Sequence, residues 1–426
     1  MPQGKLKFVL LVVASLILIL GASIASQKIT DKASSQGITL QTLQLGSVLA
    51  LKGQEEALGN QMKAGLEAAL SGEVVRGKKI KLLFRNDFYE PPIAARETRK
   101  LLRKGIFLMV GNVGTPTAEK TLPILSKHNI PAVGFLTGAD ILRRAGSEST
   151  INYRASYAQE IDAVTQMALK AGVKPKEICA YVQQDGYGVA GLKGLRKALA
   201  KAEVAAEILR PYDRVLASYT NLVRNQSTLQ LNGIGPVGFY IRNTPNAIPG
   251  YQSLKQWEEK TETTCKLVVT AGTYSNVARF VKLVRENCKD WAISSLSFTD
   301  AEAFKLDLEE YGFTEKIIMT QVVPLLDADL PIVKEAKTKL NDDFGYISLE
   351  GYIVGKMTLK ILNDIKGKLN RDNFIQQVSS SQLNLGGVTI DFTEDRTQAS
   401  DLIKVTTLKS QGFVNLSDAG FSEMFQ

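Results

Sequence analysis

The sequence predicts an α/β protein with two lobes, each built on a mostly parallel β-sheet with helices on both faces. Short apolar runs alternate with helical patterns along most of the chain, which is typical of βαβ units. This alternation occurs twice, before and after about residue 157. A chain of 426 residues is also long for a single core and suits two domains of ordinary size.

The predicted elements follow one another in the order that this fold requires. In the first half, strands are expected at 43–50, 79–84, 107–111 and 131–135, and helices at 59–70, 92–104 and 116–128. In the second half, helices at 159–171, 189–201 and 275–286 alternate with strands at 177–182, 266–270, 290–294 and 316–323. Helices at 330–341, 348–366 and 370–379 then precede a β-rich end.

These elements predict how the chain is divided between the lobes. Lobe 1 is expected from residues 43–157 and 324–365, and lobe 2 from residues 158–323. Residues 212–258 carry scattered proline, asparagine and glycine, so we interpret them as an irregular insertion in lobe 2. The C-terminal segment, 366–426, is expected to cross between the lobes.

Composition excludes several classes of protein. The apolar content of 44% and charged content of 22% are ordinary for a globular chain that buries a core. The net charge of +9 is spread along the chain, so we expect no nucleic-acid partner. The presence of a single histidine, His128, excludes a multi-histidine metal site, and His128 ends the predicted helix 116–128, where its charge suits the helix dipole. We therefore expect no metal and no cofactor.

The N-terminus predicts export from the cytoplasm. Residues 1–25 combine Lys5 and Lys7 with an apolar block at 8–20 and the small residues Ser23 and Ala25. These are the parts of a secretory signal peptide, with cleavage after Ala25 and a polar linker at 26–42. The uncharged stretch 8–26 is close to the ~20 residues that span a bilayer, so an uncleaved anchor is the alternative. Both interpretations place the rest of the chain outside the cytoplasm, in the periplasm if the signal is cleaved.

The three cysteines are too few for a disulfide scaffold. Cys179 lies in an apolar strand-like run, where a free cysteine is usually a small hydrophobic residue. Cys265 and Cys288 each stand at or near the start of a predicted strand. In an oxidising compartment they are expected to form a disulfide; two unpaired thiols are the alternative.

Candidate site loops follow from the fold alone, because ligands of open parallel sheets bind beyond the C-terminal ends of the strands. Five predicted loops lie there: 111–117, 135–139, 183–188, 271–274 and 295–299. The first two suit an anion, because their glycines allow close backbone approach, their threonines add hydroxyls and a helix begins nearby. Tyr187 and Tyr274 could close over the apolar part of a ligand. Any one of these loops could instead be a plain turn.

Two further patterns are interpreted as structural. Residues 186–191 match G-x-G-x-x-G after a strand, with Glu207 further on, as in a dinucleotide-binding turn. The preceding Asp185 would lie where a pyrophosphate binds, so this interpretation is disfavoured. Asp87 and Glu90 could be paired carboxylates, but a helix cap and a turn are the expected roles.

Nine short segments, in order from about residue 43 to 415, resemble the type I periplasmic solute-binding proteins of the leucine/isoleucine/valine-binding family. The segments are 51–59 (LKGQEEALG), 86–91 (NDFYEP), 111–117 (GNVGTPT), 137–139 (TGA), 153–157 (YRASY), 185–188 (DGYG), 320–324 (TQVVP), 348–352 (SLEGY) and 385–387 (LGG). The resemblance implies two Rossmann-like lobes that are joined by three crossovers and close on a small solute.

The resemblance also implies where the ligand binds. Thr115 stands where the family's serine or threonine binds the ligand carboxylate, and the second carboxylate loop falls on Leu136, Thr137 and Gly138. The family's aromatic lid residues fall on Leu58, Tyr187 and Thr273–Tyr274, with leucine replacing the usual tyrosine at position 58. Phe298 stands roughly where amino-acid binders carry the acid that holds the ammonium, with Asp300 two residues on.

Three functions are then compared. The first is a binding protein that captures an amino acid or related carboxylate and delivers it to the membrane permease of an ABC importer. The second is a membrane-anchored sensory ligand-binding module. The third, an extracytoplasmic enzyme, is disfavoured because the sequence lacks a clear catalytic base or metal ligands.

Overall fold

A computed structural model describes residues 36–144, 146–225, 231–393 and 397–426. The predicted signal peptide or anchor at 1–25, and most of the linker, lie outside the described residues. Within these four ranges, no helix combines the length and the apolar character needed to cross a membrane.

Lobe 1 is a six-stranded sheet in the order β2-β3-β1-β4-β5-β6, in which only the short edge strand β2 is antiparallel. Central strands such as β4 are apolar and buried throughout, as expected for a sheet covered on both faces. In chain order the elements are β1 Thr42–Leu49, α1 Glu56–Leu70, β2 Val74–Val75, β3 Lys78–Asn86, α2 Pro91–Lys104, β4 Leu108–Val110, α3 Thr115–Lys127, β5 Ala132–Val133 and β6 Thr150–Ile151.

Lobe 2 is a seven-stranded sheet whose parallel part has the order β11-β10-β9-β7-β8. Its elements are α4 Tyr157–Lys170, β7 Ile178–Gln183, α5 Gly186–Lys201, α6 Ala206–Asn225, β8 Val237–Tyr240, α7 Ile248–Thr261, β9 Leu267–Ala271, α8 Tyr274–Glu286, β10 Ala292–Ser295, α9 Ala301–Tyr311 and β11 Ile317–Gln321.

The rest of the chain returns to lobe 1 and ends in lobe 2. Its elements are α10 Pro331–Leu340, α11 Tyr346–Asp364, α12 Arg371–Ser379, β12 Gln382–Leu385, β13 Val388–Asp391, β14 Lys404–Lys409, β15 Gly412–Asn415 and α13 Asp418–Glu423. Helix α11 packs along α1, where the absence of a side chain at Gly65 lets the backbone of Ser348 approach closely. Strands β14 and β15 extend the lobe 2 sheet antiparallel to β11.

Three connections join the lobes: β6 to α4, β11 to α10, and β13 to β14. The first and third are paired with each other. The Asn152 amide donates to the Thr397 carbonyl at 2.9 Å, and the Ala399 amide donates to the Asn152 carbonyl at 2.9 Å. Because these two connections lie next to each other, the hinge between the lobes is at one side of the space between the two sheets.

The irregular insertion predicted for 212–258 is wrong. This stretch holds most of α6, the whole of β8 and most of α7, and β8 is a parallel edge strand paired with β7. The prolines in this stretch lie directly before β8, at Pro236, in the loop after β8, at Pro245, and in the first turn of α7, at Pro249. Proline in the first turn of a helix costs no hydrogen bond, so its presence did not exclude regular structure.

The predicted disulfide between Cys265 and Cys288 is also wrong. Cys179 and Cys265 form a disulfide with a Cα–Cα distance of 5.8 Å, and Cys288 is free and exposed. Strands β7 and β9 are neighbours, which brings the start of β9 next to Cys179. Cys288 lies in the turn after α8 with a φ of 54° and faces solvent. The apolar setting of Cys179 therefore reflects a buried bonded pair.

Candidate ligand-binding site

The five predicted site loops lie at the C-terminal ends of their strands, on the sides of the two sheets that face each other. Lobe 1 contributes the loops after β4 and β5, and lobe 2 contributes those after β7, β9 and β10. The structure brings the two sets into contact in a closed arrangement. All nine residues singled out from the sequence are buried, and Tyr274 has the largest exposed fraction among the eight with a side chain, at 9%.

Two hydroxyl groups meet on the lobe 1 side. Thr115 is the first residue of α3, after Gly114 with a φ of 94°, and its Oγ1 lies 2.7 Å from Oγ1 of Thr137. The amide of Leu136 already donates to the carbonyl of Asn112, so Leu136 shapes the loop and offers no amide to a ligand. The paired hydroxyls and the helix N-terminus together form a region suited to a negatively charged group.

Gly138 and Tyr157 complete this hydroxyl region. The Tyr157 amide donates to the Gly138 carbonyl at 2.9 Å, and a side chain at Gly138 would overlap Tyr157. Burial raises the pKa of Tyr157 to about 12, while Arg154, Thr137 and Gly138 oppose the shift. The Tyr157 hydroxyl therefore stays protonated and is a third hydroxyl donor beside Thr137.

Aromatic rings from both lobes enclose the adjacent space. The Tyr187 ring lies 4.7 Å from that of Phe298 and 5.2 Å from that of Tyr157, measured between centroids. The Tyr89 ring of lobe 1 lies 6.2 Å from Phe298. The Tyr187 hydroxyl donates to the carbonyl of Gly272 at 3.4 Å. This aromatic wall suits the apolar part of a small ligand.

Tyr89 is a site residue that sequence reasoning missed. It packs on the backbone of Gly114, directly before Thr115, where a side chain would overlap the Tyr89 ring. Phe88 and Tyr89 have φ values of 56° and 58°, a left-handed conformation that is uncommon for such residues. The Asp87 carboxylate stabilises this turn by accepting a hydrogen bond from the Tyr89 amide at 2.8 Å. Such strain is typical of residues that shape a functional site.

A buried carboxyl group lies at the other end of the aromatic wall. Oε1 of Glu55, from lobe 1, accepts a hydrogen bond from the Thr273 hydroxyl of lobe 2 at 2.8 Å, while Oε2 has no hydrogen-bond partner among the described residues. Burial raises the pKa of the Glu55 carboxyl to about 8. Thr273 is held in turn by Tyr240, whose hydroxyl accepts from the Thr273 amide and donates to Gln183. An acid therefore does approach the cleft, but from the opposite lobe to the one expected.

Tyr274, which was expected to close over the apolar part of a ligand, joins the two lobes through its hydroxyl group. Its hydroxyl donates to the backbone carbonyl of Gln54 at 2.6 Å, and the Gln54 side chain donates to Ser275 at 2.9 Å. Leu58 is buried in the first turn of α1 and belongs to the hydrophobic core. In this segment the interlobe hydrogen bonds are thus made by Gln54 and Glu55.

Arg154 lies in the connection from β6 to α4 and is fully buried next to the aromatic wall. Its Nε lies 3.5 Å from Glu350 on α11, its Nη2 donates to Ser297 after β10, and its guanidinium lies 5.8 Å from the Tyr157 ring. Burial lowers the pKa of Arg154, but the carboxylates of Glu350 and Glu160 outweigh this effect and raise it overall. Arg154 therefore remains a cation that links both lobes at the hinge.

The groups at this site are suited to binding a small molecule. Across the described parts of the chain, no group of three or more histidine, cysteine or acidic side chains could hold a metal ion. His128 lies at the exposed C-terminal end of α3, away from the strand ends that carry the site. Hydroxyl donors, aromatic rings and one buried carboxyl can together hold a small polar molecule with an apolar portion.

Some of the missed residues carried a signal in the sequence. Glu55 and Tyr89 follow predicted strands, β1 and β3, whose C-terminal ends face the site. The strand-end rule that selected the five loops therefore applies to these two segments as well. Arg242, which bonds to Glu90 of lobe 1 and Asp185 of lobe 2, follows β8, and the interpretation of 212–258 as irregular concealed this strand.

Known proteins share both the sequence pattern and the fold. A family model described as periplasmic binding protein matches residues 42–229. The crystal structure of a possible leucine/isoleucine/valine-binding protein from Rhodopirellula baltica is 30% identical, with a TM-score of 0.76, and the match covers 89% of this chain and 98% of that one.

Two curated relatives match over shorter stretches. Leu/Ile/Val-binding protein homolog 3 from Brucella melitensis is 28% identical over 163 residues, or 37% of this chain and 43% of the relative. Leu/Ile/Val-binding protein BraC3 from Rhizobium johnstonii is 23% identical over 205 residues, or 46% of this chain and 55% of the relative. The chain thus spans about half the length of each. Together with the two-lobed fold and the structural match over 89% of this chain, these findings show that the chain belongs to the periplasmic binding protein family that includes the Leu/Ile/Val-binding proteins.

Proposed function

We propose that this protein captures an amino acid or a related small carboxylate between its lobes, outside the cytoplasm, and delivers it to the membrane permease of an ABC importer. The observation that carries the proposal is the Thr115–Thr137 hydroxyl pair at the start of α3, facing the aromatic rings of lobe 2. Membership of the periplasmic binding protein family supports export and a transport role.

The proposed mechanism is closure of lobe 2 over a ligand that first binds lobe 1. Thr115, Thr137 and the Tyr157 hydroxyl would donate to a carboxylate, at about 1.5–3 kcal/mol for each hydrogen bond to a charged group. Tyr187 and Phe298 would then cover the apolar part of the ligand. Burial keeps Glu55 neutral in the empty protein, and a cationic ligand group such as an ammonium would favour its ionised form, whose Oε2 would accept a hydrogen bond at the far end of the site.

A thermal-shift screen of the purified protein against amino acids and small carboxylates tests this proposal. A ligand that binds the native state raises the melting temperature in proportion to the logarithm of its concentration over Kd. The absence of a shift throughout such a panel would argue against the proposed ligand class. A hit gives a defined ligand for calorimetry.

Thr115→Ala is the variant that tests the site. It should weaken binding of that ligand by about tenfold or more, which corresponds to the loss of one charge-assisted hydrogen bond. Because the variant also loses the bond to Thr137, the empty protein should melt slightly lower.

The matched control is Thr358→Ala, a fully buried threonine on α11 whose hydroxyl bonds to the Val354 carbonyl at 2.7 Å. The control should lower the melting temperature and leave the affinity unchanged. Equal affinities for Thr115→Ala and the wild type would refute the carboxylate role.

A further inference from the structure

We propose that an ion-pair cluster around Arg242 holds the two lobes closed in the absence of any ligand, with a strength that ionic strength controls. The cluster consists of Glu90 from lobe 1 and Asp185, Arg242 and Asn243 from lobe 2. This inference goes beyond the proposed function, because it concerns the equilibrium between the open and closed forms of the empty protein.

Both carboxylate oxygens of Glu90 are bound by lobe 2. Arg242 Nη2 donates to Glu90 Oε2 at 3.0 Å, and Asn243 Nδ2 donates to Glu90 Oε1 at 2.7 Å. Asn243 Nδ2 also lies 3.2 Å from the backbone carbonyl of Phe88. The second nitrogen of the guanidinium, Nη1, donates to Asp185 Oδ2 at 3.0 Å. Arg242 is therefore a bridge between one carboxylate of each lobe.

The lobe 2 half of the cluster is positioned before closure. Asp185 caps helix α5 by accepting from the Tyr187 amide at 3.0 Å, and it accepts from Gln183 Nε2 at 2.7 Å. Asn243 has a φ of 55°, a conformation that asparagine tolerates better than most residues. Because these bonds lie within lobe 2, Arg242 and Asn243 need little reordering to meet Glu90.

The lobe 1 half of the cluster, Glu90, is positioned by the left-handed turn at Phe88 and Tyr89. The Asp87 carbonyl accepts from the Glu90 amide at 2.9 Å, which places Glu90 at the end of this turn and directly before α2. The contacts that join the lobes run from Glu90 and the Phe88 carbonyl to Arg242 and Asn243, and they use neither the threonine hydroxyls nor the aromatic rings of the site. The cluster can therefore form without a ligand.

Partial exposure makes these contacts sensitive to salt. The side chains of Arg242 and Glu90 are 21% and 37% exposed. Exposed single ion pairs contribute little and are screened, but a network of charges, here one arginine bound to a carboxylate of each lobe, is a stronger arrangement. Raising the ionic strength should therefore shift the empty protein towards the open form.

The test uses the full chain, stripped of small molecules by unfolding, dialysis and refolding. Hydrogen–deuterium exchange is followed by mass spectrometry in the 86–90 segment of lobe 1, and small-angle X-ray scattering gives the radius of gyration. Both are recorded at 20 mM and 500 mM NaCl, concentrations chosen for this experiment to lie on either side of physiological screening. The variants are Arg242→Gln and Arg242→Glu, with Glu90→Gln as an independent variant on the other lobe.

The matched control is Arg196→Glu. Arg196 makes a similar two-point ion pair with Asp213, at 2.8 and 3.3 Å, but both residues belong to lobe 2. The control therefore introduces the same charge change without affecting closure.

We expect the wild type to exchange several-fold more slowly in segment 86–90 at low salt than at high salt, with a smaller radius of gyration. Arg242→Gln and Arg242→Glu should exchange rapidly at both salt concentrations, Glu90→Gln should lie between, and Arg196→Glu should match the wild type. Circular dichroism confirms that each variant is folded.

Equal exchange rates and radii for wild type and folded Arg242→Glu at both salt concentrations would overturn the proposal. The proposal would also be overturned if Arg242→Glu failed to fold and Glu90→Gln had the exchange rate and radius of gyration of the wild type. Neither result depends on identifying a ligand, so failure here is distinct from failure of the proposed function.

Discussion

The disulfide between Cys179 and Cys265 is expected to be a main source of the stability of lobe 2. It links the buried strand β7 to the start of its neighbour β9, and the two cysteines have a sequence separation of 86. This closed loop contains α5, α6, β8 and α7. Replacing both cysteines by alanine would leave all of these elements without a covalent constraint in the unfolded chain.

The size of the effect follows from the loop length. A cross-link that closes a loop of this size removes unfolded-state entropy equivalent to about 4.5 kcal/mol in the chain-entropy model, and measured losses are typically ~2–5 kcal/mol. Both sulfur atoms are buried, so their removal also costs packing contacts in the same direction. The double variant Cys179→Ala/Cys265→Ala should therefore unfold at a much lower denaturant concentration.

The protein carries its own probe for this measurement. Its two tryptophans, Trp257 and Trp291, both belong to lobe 2, and Trp291 is buried beside the Tyr251 ring. Urea unfolding followed by tryptophan fluorescence thus reports on the lobe that contains the disulfide. Cys288→Ala, at the exposed free cysteine, is the matched control and should unfold like the wild type.

Three results would refute this reasoning. Three reactive thiols in the unreduced, denatured protein would show that no disulfide forms, whereas a single reactive thiol, at Cys288, is expected. A peptide that links Cys265 to Cys288 in a non-reducing digest would show that the pairing of Cys179 is incorrect. A fall in stability of less than about 1 kcal/mol for the double variant would show that the cross-link does not limit unfolding.

Two further predictions concern a buried acid and a helix contact. Glu55 is protonated in the folded protein below a pKa of about 8, against an ordinary 4.5, so stability falls as the pH rises through this range. The free energy of unfolding of Glu55→Gln, measured with urea, should match that of the wild type at pH 5 and exceed it at pH 8 by on the order of 1 kcal/mol or more. The same pH dependence of stability in both proteins would contradict this. Gly65→Ala should destabilise the protein by about 1–3 kcal/mol, because the new methyl group meets the backbone of α11, while Gly420→Ala in the terminal helix should have little effect. A thermal melt compares the two, and equal melting temperatures would show that α1 and α11 can separate without cost.

Much of the architecture could be predicted from local sequence patterns. The period of apolar residues distinguishes a helix from a strand within a few turns, so the βα alternation was visible without any tertiary contact. The rule that ligands bind beyond strand ends then selected Thr115, Thr137, Tyr187, Tyr274 and Phe298, which the structure brings to the facing sides of the lobes. Local spacing was sufficient because each of these residues lies within a few positions of its strand.

The tertiary structure decided which distant residues meet, and no local pattern contains that information. Glu55 and Thr273 are 218 positions apart, and Arg242 and Glu90 are 152 apart, yet each pair forms a hydrogen bond when the lobes close. The partner of Cys265 depended on strand order, because β9 lies between β7 and β10. The sequence alone does not show which of these two neighbouring strands a side chain lies next to. The sequence by itself determined the two-lobed α/β fold and the hydroxyl and aromatic loops, because these follow from periodicity along the chain. The disulfide, the buried Glu55 and the Arg242 cluster were decided by the packing of one sheet and one lobe against another.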